Sequence, residues 1–241
     1  MSTFVLVHGA WHTGDLFEPV AQPIRDAGHS VHCPTVAGNN PGDPRTTGLD
    51  VAITSIIDYI ESNDLNDVIL LGHSYGGMVI TGVADQILGR LQRLIYWNAF
   101  VPNNGECLND MVPPHYVALF DAVSAESPDN SVMLPFPIWR EAFINDGSAE
   151  LAQSAFDRLN AHPYATFTDP ISLSMNPAEM QIPKSYINCT EDTALPQSLG
   201  WHPRLSEKLG LFRLVQVSGS HELCFSNPAS LAVAIMDAGQ A

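Results

Sequence analysis

Short apolar runs alternate with longer segments of helical spacing along most of the chain. The helical segments are Leu16–Ala27, Leu49–Ser62, Met78–Ile87, Gln197–Leu209 and a last one that begins at Pro228. The apolar runs have the length and residue types of strands: Phe4–Val7, Ser30–Cys33, Val68–Leu71, Leu94–Trp97, Ser185–Cys189 and Phe212–Val217. Continuous apolar strands between helices are typical of parallel strands buried on both faces. We therefore expect an α/β fold with a mostly parallel six-stranded sheet flanked by helices.

The interval from residue 101 to residue 182 breaks this alternation. It is rich in proline and in bulky apolar residues, and helical spacing is limited to His115–Ser124, Trp139–Asn145 and Ala149–Asn160. A connection of this length between two strands is more typical of a functional insertion than of an ordinary loop. We predict a helical cap, or lid, over residues 101–182, inserted after the fourth strand of a core formed by residues 1–100 and 183–241.

Charge and composition exclude several classes of protein. The 241 residues include 26 acidic and 10 basic side chains, for a formal net charge of −16. A surface this negative repels phosphate, so we expect neither nucleic acid nor membrane as a partner. Hydrophobic residues make up 45% of the chain, which excludes a disordered protein. The N-terminal residues lack the features of a signal peptide and the four cysteines are widely spaced, so we expect a cytoplasmic protein.

The strongest chemical signal is the segment Gly72-His73-Ser74-Tyr75-Gly76-Gly77, which lies between a predicted strand and a predicted helix. A serine nucleophile needs a tight strand-to-helix turn that pushes its hydroxyl out of the sheet, and glycines must flank it because side chains there would collide with the neighbouring elements. The helix N-terminus also favours developing negative charge. The segment therefore predicts Ser74 as a nucleophile.

A second segment, Val7-His8-Gly9-Ala10, ends the first predicted strand. Acyl transfer needs two N–H donors aimed at the oxyanion of the tetrahedral intermediate. We predict the N–H groups of Ala10 and Tyr75 as this oxyanion hole, and we interpret His8 as a structural residue that supports the loop.

A serine nucleophile also needs a base that a third group orients. Asp192 follows the fifth predicted strand and His221 follows the sixth, which gives the chain order serine, acid, histidine. Glu191 is an alternative to Asp192. No pair of histidines or cysteines has metal-ligand spacing and no nucleotide-binding loop is present, so we expect neither a metal nor a cofactor.

Several segments together resemble one branch of a known family. They are His8-Gly9-Ala10-Trp11-His12, Gly72-His73-Ser74-Tyr75-Gly76-Gly77-Met78, Asn98-Ala99-Phe100-Val101-Pro102, Cys189-Thr190-Glu191-Asp192 and a terminal Gly-x-His. They are similar to the α/β-hydrolase branch that contains methyl-salicylate-type esterases of plants, hydroxynitrile lyases and bacterial pyrethroid-ester hydrolases. The resemblance covers nearly the whole chain, although the lid matches mainly in length and position. It implies the α/β-hydrolase fold, the same triad and oxyanion hole, no cofactor, a cap over a mostly apolar pocket and a homodimer.

Two positions separate the branches of that family. The hydroxynitrile lyases carry threonine at the position of Gly9 and lysine directly after the catalytic histidine, where this chain has Glu222. An anionic side chain there would repel cyanide, which disfavours the lyase. We interpret Glu222 as a solvated charge at the rim of the site, with an effect on His221 or on anionic substrates as the alternative.

The sequence thus predicts a serine esterase or lactonase that forms an acyl-enzyme with a small, largely apolar substrate. The predicted pocket residues are Trp11, His12, Phe120, Phe136, Trp139 and Phe143. Their aromatic side chains favour an aromatic substrate, but they can equally form the core of the lid. The alternatives are a cofactor-free lyase, C–C cleavage or oxygenation on the same fold, and a non-catalytic receptor for a small molecule.

Overall fold

A parallel six-stranded sheet forms the centre of the computed structural model, which describes residues 1–240. The strands, in chain order, are β1 (Thr3–Val7), β2 (Ser30–His32), β3 (Val68–His73), β4 (Leu91–Trp97), β5 (Ser131–Val132), β6 (His162–Pro163), β7 (Lys184–Cys189) and β8 (Arg213–Val217). The sheet has the order β2-β1-β3-β4-β7-β8, and every neighbouring pair in it is parallel. β5 and β6 pair with each other in a short antiparallel ladder. The predicted α/β class and all six predicted strands are confirmed.

Helices cover both faces of the sheet. They are α1 (Glu18–Asp26), α2 (Leu49–Ser62), α3 (Gly76–Ile87), α4 (Pro114–Glu126), α5 (Phe136–Ile138), α6 (Ala149–Phe156), α7 (Ala165–Thr168), α8 (Leu223–Ser226) and α9 (Pro228–Ala238). Residues of α1 and α9 pack with one set of alternate strand residues, such as Leu6 and Leu71, in one buried cluster. The other set, such as Val7 and Leu70, packs with α2 and α3 in a second cluster. The four central strands β1, β3, β4 and β7 are therefore buried on both sides, as their continuous apolar sequences require, whereas the edge strands β2 and β8 are partly exposed.

The chain between β4 and β7 holds α4 to α7, the short β5–β6 ladder and a π-helical turn at Trp139–Phe143. Its buried aromatic residues, including Phe120, Phe143 and Phe167, belong to the same cluster as α2 and α3. The insertion therefore packs over one face of the sheet. Its division from the core at residues 101 and 182 stays a prediction.

One predicted helix is wrong. The interval Gln197–Leu209 contains only two 3₁₀ turns, at Gln197–Leu199 and Ser206–Leu209. Gly200 and Pro203 lie between them, and proline cannot continue a helix because it lacks the N–H and its ring clashes with the preceding turn. Among residues 1–240, no helix has the length and apolar character that crossing a membrane requires.

Candidate active site

Ser74 occupies a strained turn between β3 and α3. Its φ of 52° lies in the left-handed region, which residues other than glycine rarely adopt. The turn is fixed because the carbonyl of Ser74 accepts hydrogen bonds from the N–H groups of Gly77 (3.0 Å) and Phe100 (3.1 Å). The backbone therefore holds the serine out of the sheet, at the carboxyl end of a central strand.

The glycines on either side of Ser74 are required by close backbone contacts. A Cβ atom on Gly72 would lie 2.5 Å from the carbonyl oxygen of Gly76, and one on Gly76 would lie 2.8 Å from the carbonyl oxygens of Val7 and His8. These separations are shorter than van der Waals contact allows, so any side chain would force the strand and the helix apart.

His221 and Asp192 form a buried hydrogen-bonded pair at the same end of the sheet. The Nδ1–H of His221 donates to Oδ2 of Asp192 over 2.6 Å, and both side chains are 1% exposed. Asp192 also accepts from the side-chain amide of Asn98 and, over 2.8 Å, from the N–H of Ala194. Glu191, the alternative acid, instead accepts from the hydroxyl of Ser218. The structure therefore pairs His221 with Asp192.

The charge of Asp192 sets the protonation behaviour of His221. Burial lowers the pKa of His221, while the charge of Asp192, the hydrogen bond to it and the charge of Glu222 raise that pKa, and the net shift is upward from 6.5. The neighbouring ring of His73 stays neutral, because burial holds its pKa well below the ordinary value.

Other aromatic rings fix the orientation of His221. The Nε2–H of His73 donates to the carbonyl of His221 over 3.1 Å, and the two rings have centroids 4.6 Å apart. Trp201 stacks on His221 at 5.0 Å, and Phe143 meets it edge to face at 5.2 Å. Because His73 directly precedes Ser74, these contacts place His221 beside the serine turn.

The loop after β1 reaches Ser74 from the other side. The Nδ1–H of His8 donates to the carbonyl of Gly9 over 2.8 Å, and Nε2 of His8 accepts from the N–H of Val36 over 3.0 Å. Burial lowers the pKa of His8 to about 4, which keeps the ring neutral and suited to this pair of bonds. His8 thus fixes the peptide between Gly9 and Ala10, whose N–H is the predicted oxyanion donor.

A small cavity opens above Ser74. Its lining is mostly apolar and comes from both the core and the insertion: Ala10, Trp11, Ser74, Tyr75, Phe100, Leu108, Val112, Tyr116, Phe120, Phe143, Phe167, Ala194, Leu195 and Trp201. A cavity of this size and character suits a small, largely apolar molecule.

Comparison with known proteins shows to which family the chain belongs. The sequence model of the alpha/beta hydrolase family matches residues 4–234. This chain belongs to the alpha/beta hydrolase family.

Three relatives of this hydrolase come from bacteria. An extracellular alpha/beta-hydrolase of a Paenibacillus species, described as a structural and functional homologue of tobacco salicylic acid binding protein 2, is 35% identical with a TM-score of 0.97 over 100% of both chains. The pyrethroid hydrolase of Sphingobium wenxiniae is 26% identical over 98% of this chain and 87% of its own. The carbendazim hydrolyzing esterase of a Nocardioides species is 46% identical, but the match covers 52% of each chain. The resemblance seen in the sequence is confirmed.

The predicted pocket residues of this hydrolase fall into two groups. Trp11, Phe120 and Phe143 line the cavity. His12, Phe136 and Trp139 do not line it, and for these three the expectation is corrected. His12 is hydrogen-bonded to the carbonyl of Ala10 in the loop after β1. Phe136 packs on Phe156, and Trp139 donates its indole N–H to the carbonyl of Ala152. Phe136 and Trp139 thus pack inside the insertion, and this packing is the alternative role that the sequence allowed for its aromatic side chains.

Sequence reasoning missed two residues that contact the His221–Asp192 pair. Asn98 donates to Asp192 and accepts from the N–H of Cys189 over 2.7 Å. The signal for it was its position directly after β4, at the rim that carries the other site residues. Trp201 had no such signal, because it lies in an irregular segment that was predicted to be helical.

Glu222 is not a solvated rim charge, and this interpretation is wrong. Its side chain is 1% exposed, and Oε2 lies 2.9 Å from Nε2 of His12, which is equally buried. The side chain of Glu222 therefore packs against His12, in the loop after β1, and does not line the cavity.

Two groups of potential metal ligands occur among the described residues. His12, Glu222 and Cys224 form one group and His73, His221 and Glu222 the other, each with ligand atoms within 4.8 Å of one another. In the first group burial raises the pKa of the Cys224 thiol well above its ordinary value, so the thiol stays protonated and is a poor ligand. In the second, Nδ1 of His221 already binds Asp192 and Nε2 of His73 already donates to a carbonyl. Both groups are better suited to hydrogen bonding.

Proposed function

We propose that this hydrolase cleaves carboxylic esters or lactones through an acyl-enzyme on Ser74. The observation that carries the proposal is a serine in a left-handed strand-to-helix turn, at the base of an apolar cavity and beside a buried His221–Asp192 pair. The names of the Nocardioides and Sphingobium relatives, a carbendazim hydrolyzing esterase and a pyrethroid hydrolase, support ester hydrolysis.

Each group has a defined role in the proposed reaction. His221 takes the proton of the Ser74 hydroxyl as the oxygen attacks the acyl carbon, and the N–H groups of Ala10 and Tyr75 hold the resulting oxyanion. His221 then gives the proton to the leaving alkoxide. In the second half-reaction it takes a proton from water as the water oxygen attacks the acyl carbon, and it returns that proton to the oxygen of Ser74 as the acid leaves. Asp192 fixes the tautomer of His221 and stabilises its cation.

The substrate in this proposal is small and largely apolar. The walls of the cavity carry aromatic rings from Trp11, Phe120 and Phe167, and no lysine or arginine is among its lining residues. Such walls favour a neutral aromatic or aliphatic ester over a carboxylate-bearing one, because nothing in the lining balances a second negative charge.

A panel of esters, lactones and cyanohydrins, run against the wild type and Ser74→Ala, tests the proposal. We expect the wild type to hydrolyse esters or lactones, to release p-nitrophenol in a burst and to be labelled by a fluorophosphonate, and we expect Ser74→Ala to lose all three properties. Ser62→Ala, at an exposed serine near the end of α2, is the matched control. Full ester turnover by Ser74→Ala, or turnover of cyanohydrins alone, would show that the proposal is wrong.

Location and assembly belong to the proposal as well. The four cysteines of the described chain form no disulfide, which is usual in a reducing compartment, whereas the Paenibacillus hydrolase is described as extracellular. We propose a cytoplasmic homodimer. Cell fractionation tests the location, and light scattering after gel filtration tests the assembly.

A further inference from the structure

Glu222 is a buried carboxylate to which the proposed reaction gives no role. It follows His221 directly, but its side chain turns away from the cavity and contacts Nε2 of His12 at 2.9 Å and Sγ of Cys224 at 3.7 Å. A buried carboxylate without a hydrogen-bonding partner is strongly destabilising. Its presence here therefore depends on His12.

The geometry fixes how many protons this pair holds. Nδ1 of His12 lies 2.6 Å from the carbonyl oxygen of Ala10, and a carbonyl can only accept, so Nδ1 carries a hydrogen. On the other side of the ring, Nε2 faces a carboxylate oxygen, and one further proton must lie between those two atoms. Whichever atom holds that proton, the pair of His12 and Glu222 is neutral as a unit.

This pair controls one of the two peptides next to Ala10. His8 holds the carbonyl of Gly9, on the N-terminal side, and His12 holds the carbonyl of Ala10 itself, on the C-terminal side. The next residue, Trp11, has a φ of 67°, a conformation that must be imposed by surrounding contacts. Part of the constraint comes from the insertion, since the indole N–H of Trp11 donates to the carbonyl of Val132 over 3.1 Å.

We propose that Glu222 is a positioning residue that acts through His12, holding the oxyanion loop so that the Ala10 N–H points at the developing charge on the substrate. This inference rests on the proposed ester hydrolysis and on the role of Ala10 in it. The carboxylate orients the His12 ring, the ring anchors the Ala10 carbonyl, and the anchored peptide limits rotation of the donor beside it.

A different role for Glu222 makes opposite predictions. If Glu222 acted only through the effect of its charge on the pKa of His221, Glu222→Gln and Glu222→Leu would move the acid limb of the pH profile equally and would have the same kcat on the plateau above that limb. As a positioning residue it can be replaced by glutamine. The amide N–H₂ donates to Nε2 of a neutral His12, whose Nδ1–H still reaches the Ala10 carbonyl.

The experiment compares Glu222→Gln, Glu222→Leu, His12→Phe and the double variant Glu222→Leu/His12→Phe in hydrolysis of p-nitrophenyl butyrate. We expect Glu222→Gln to keep kcat, measured on the pH plateau above the acid limb, within about threefold of the wild type. We expect Glu222→Leu and His12→Phe each to lower kcat by about 10- to 100-fold with little change in KM, because an oxyanion donor acts mainly in the transition state. The double variant should lose no more than either single variant, because the two residues act as one unit.

Stability measurements separate positioning from a purely structural role. The double variant replaces both buried polar partners by apolar side chains, a change that commonly leaves stability unchanged or increases it. We therefore expect the double variant to melt at or above the wild-type temperature while its kcat stays low. Wild-type kcat in the double variant, or a loss of kcat in Glu222→Gln as large as in Glu222→Leu, would overturn the inference.

Ser74→Ala in the same assay keeps this inference separate from the function on which it rests. If the wild type hydrolyses the ester and Ser74→Ala does not, a wild-type result for the Glu222 and His12 variants refutes the positioning role alone. If Ser74→Ala remains active, the proposed function itself fails.

Discussion

Backbone groups in this site are fixed by side chains that do not themselves react. Asn98 is the clearest case, because its amide donates to Asp192 while its carbonyl oxygen accepts from the N–H of Cys189 at the end of β7. His8 has a similar function for the peptide between Gly9 and Ala10. The three residues expected to react therefore depend on neighbours that hold them in one orientation.

Asn98→Ala tests this dependence. The substitution leaves the N–H of Cys189 buried without an acceptor and removes one of the donors to Asp192, so we expect a stability loss of about 1–3 kcal/mol and a kcat about 10- to 100-fold lower. Denaturant unfolding and ester kinetics measure the two effects. Gln92→Ala, at an exposed amide in β4, is the control and should change neither. An unchanged kcat in folded Asn98→Ala would limit Asn98 to a structural role.

The pH profile tests the coupling between His221 and Asp192. Only neutral His221 can take the serine proton, so kcat/KM should fall as the pH drops through a pKa that lies above the ordinary 6.5. In Asp192→Asn the contribution that raises this pKa is lost while burial still lowers it. We therefore expect the acid limb to move to lower pH and kcat to fall by about four orders of magnitude. If kcat/KM of Asp192→Asn fell at the same pH as that of the wild type, a group other than His221 would control the acid limb.

At the scale of elements, α3 and the strand ends around it are packed backbone against backbone. A Cβ atom on Gly77, in the first turn of α3, would lie 2.1 Å from the carbonyl oxygen of Phe100 in the chain after β4. Phe100 also lines the cavity and donates its N–H to the carbonyl of Ser74. The helix, the serine turn and the cavity wall are thus one rigid unit.

Gly77→Ala should disrupt that unit. Overpacking against a backbone carbonyl costs about 1–3 kcal/mol, and the displaced Phe100 should lower kcat/KM as well. The matched control is Gly89→Ala near the C-terminal end of α3, where an added Cβ would meet no atom within 4 Å. Thermal unfolding of both variants measures the difference, and equal stabilities would contradict the close contact at Gly77.

At the scale of the whole molecule, negative charge is concentrated over the insertion. Eleven of the 26 acidic residues but only two of the ten basic ones lie between residues 101 and 182. Most of these acidic side chains are exposed, whereas Glu222 is buried and paired. The electrostatic field of the insertion, whose residues line part of the cavity, is therefore negative.

This field should discriminate against anionic substrates. We expect kcat/KM for a neutral ester to exceed that for a matched anionic ester, and the ratio to fall as salt shortens the Debye length from about 30 Å at 0.01 M to about 10 Å at 0.1 M. The neutral ester is the internal control, because its kcat/KM should hardly respond to salt. A preference for the anionic ester at low salt would show that the acidic surface does not act on the substrate.

The sequence alone was sufficient to predict the strands, the serine turn and the pairing of His221 with Asp192. Buried parallel strands require continuous apolar runs, and a turn such as that around Ser74 tolerates only a narrow set of residues, so both leave a local pattern. The order of Ser74, Asp192 and His221 along the chain could be interpreted because each follows a strand of the same parallel sheet.

Contacts between distant segments were decided only by the tertiary structure. Nothing local distinguishes Glu222 at a solvated rim from Glu222 buried against His12, since 210 residues separate the two partners. The same holds for Asn98 and Asp192, and for the choice of which aromatic residues of the insertion line the cavity. Local sequence specifies backbone conformation, but a buried polar side chain is defined by its partner, and that partner is fixed only when the chain is folded.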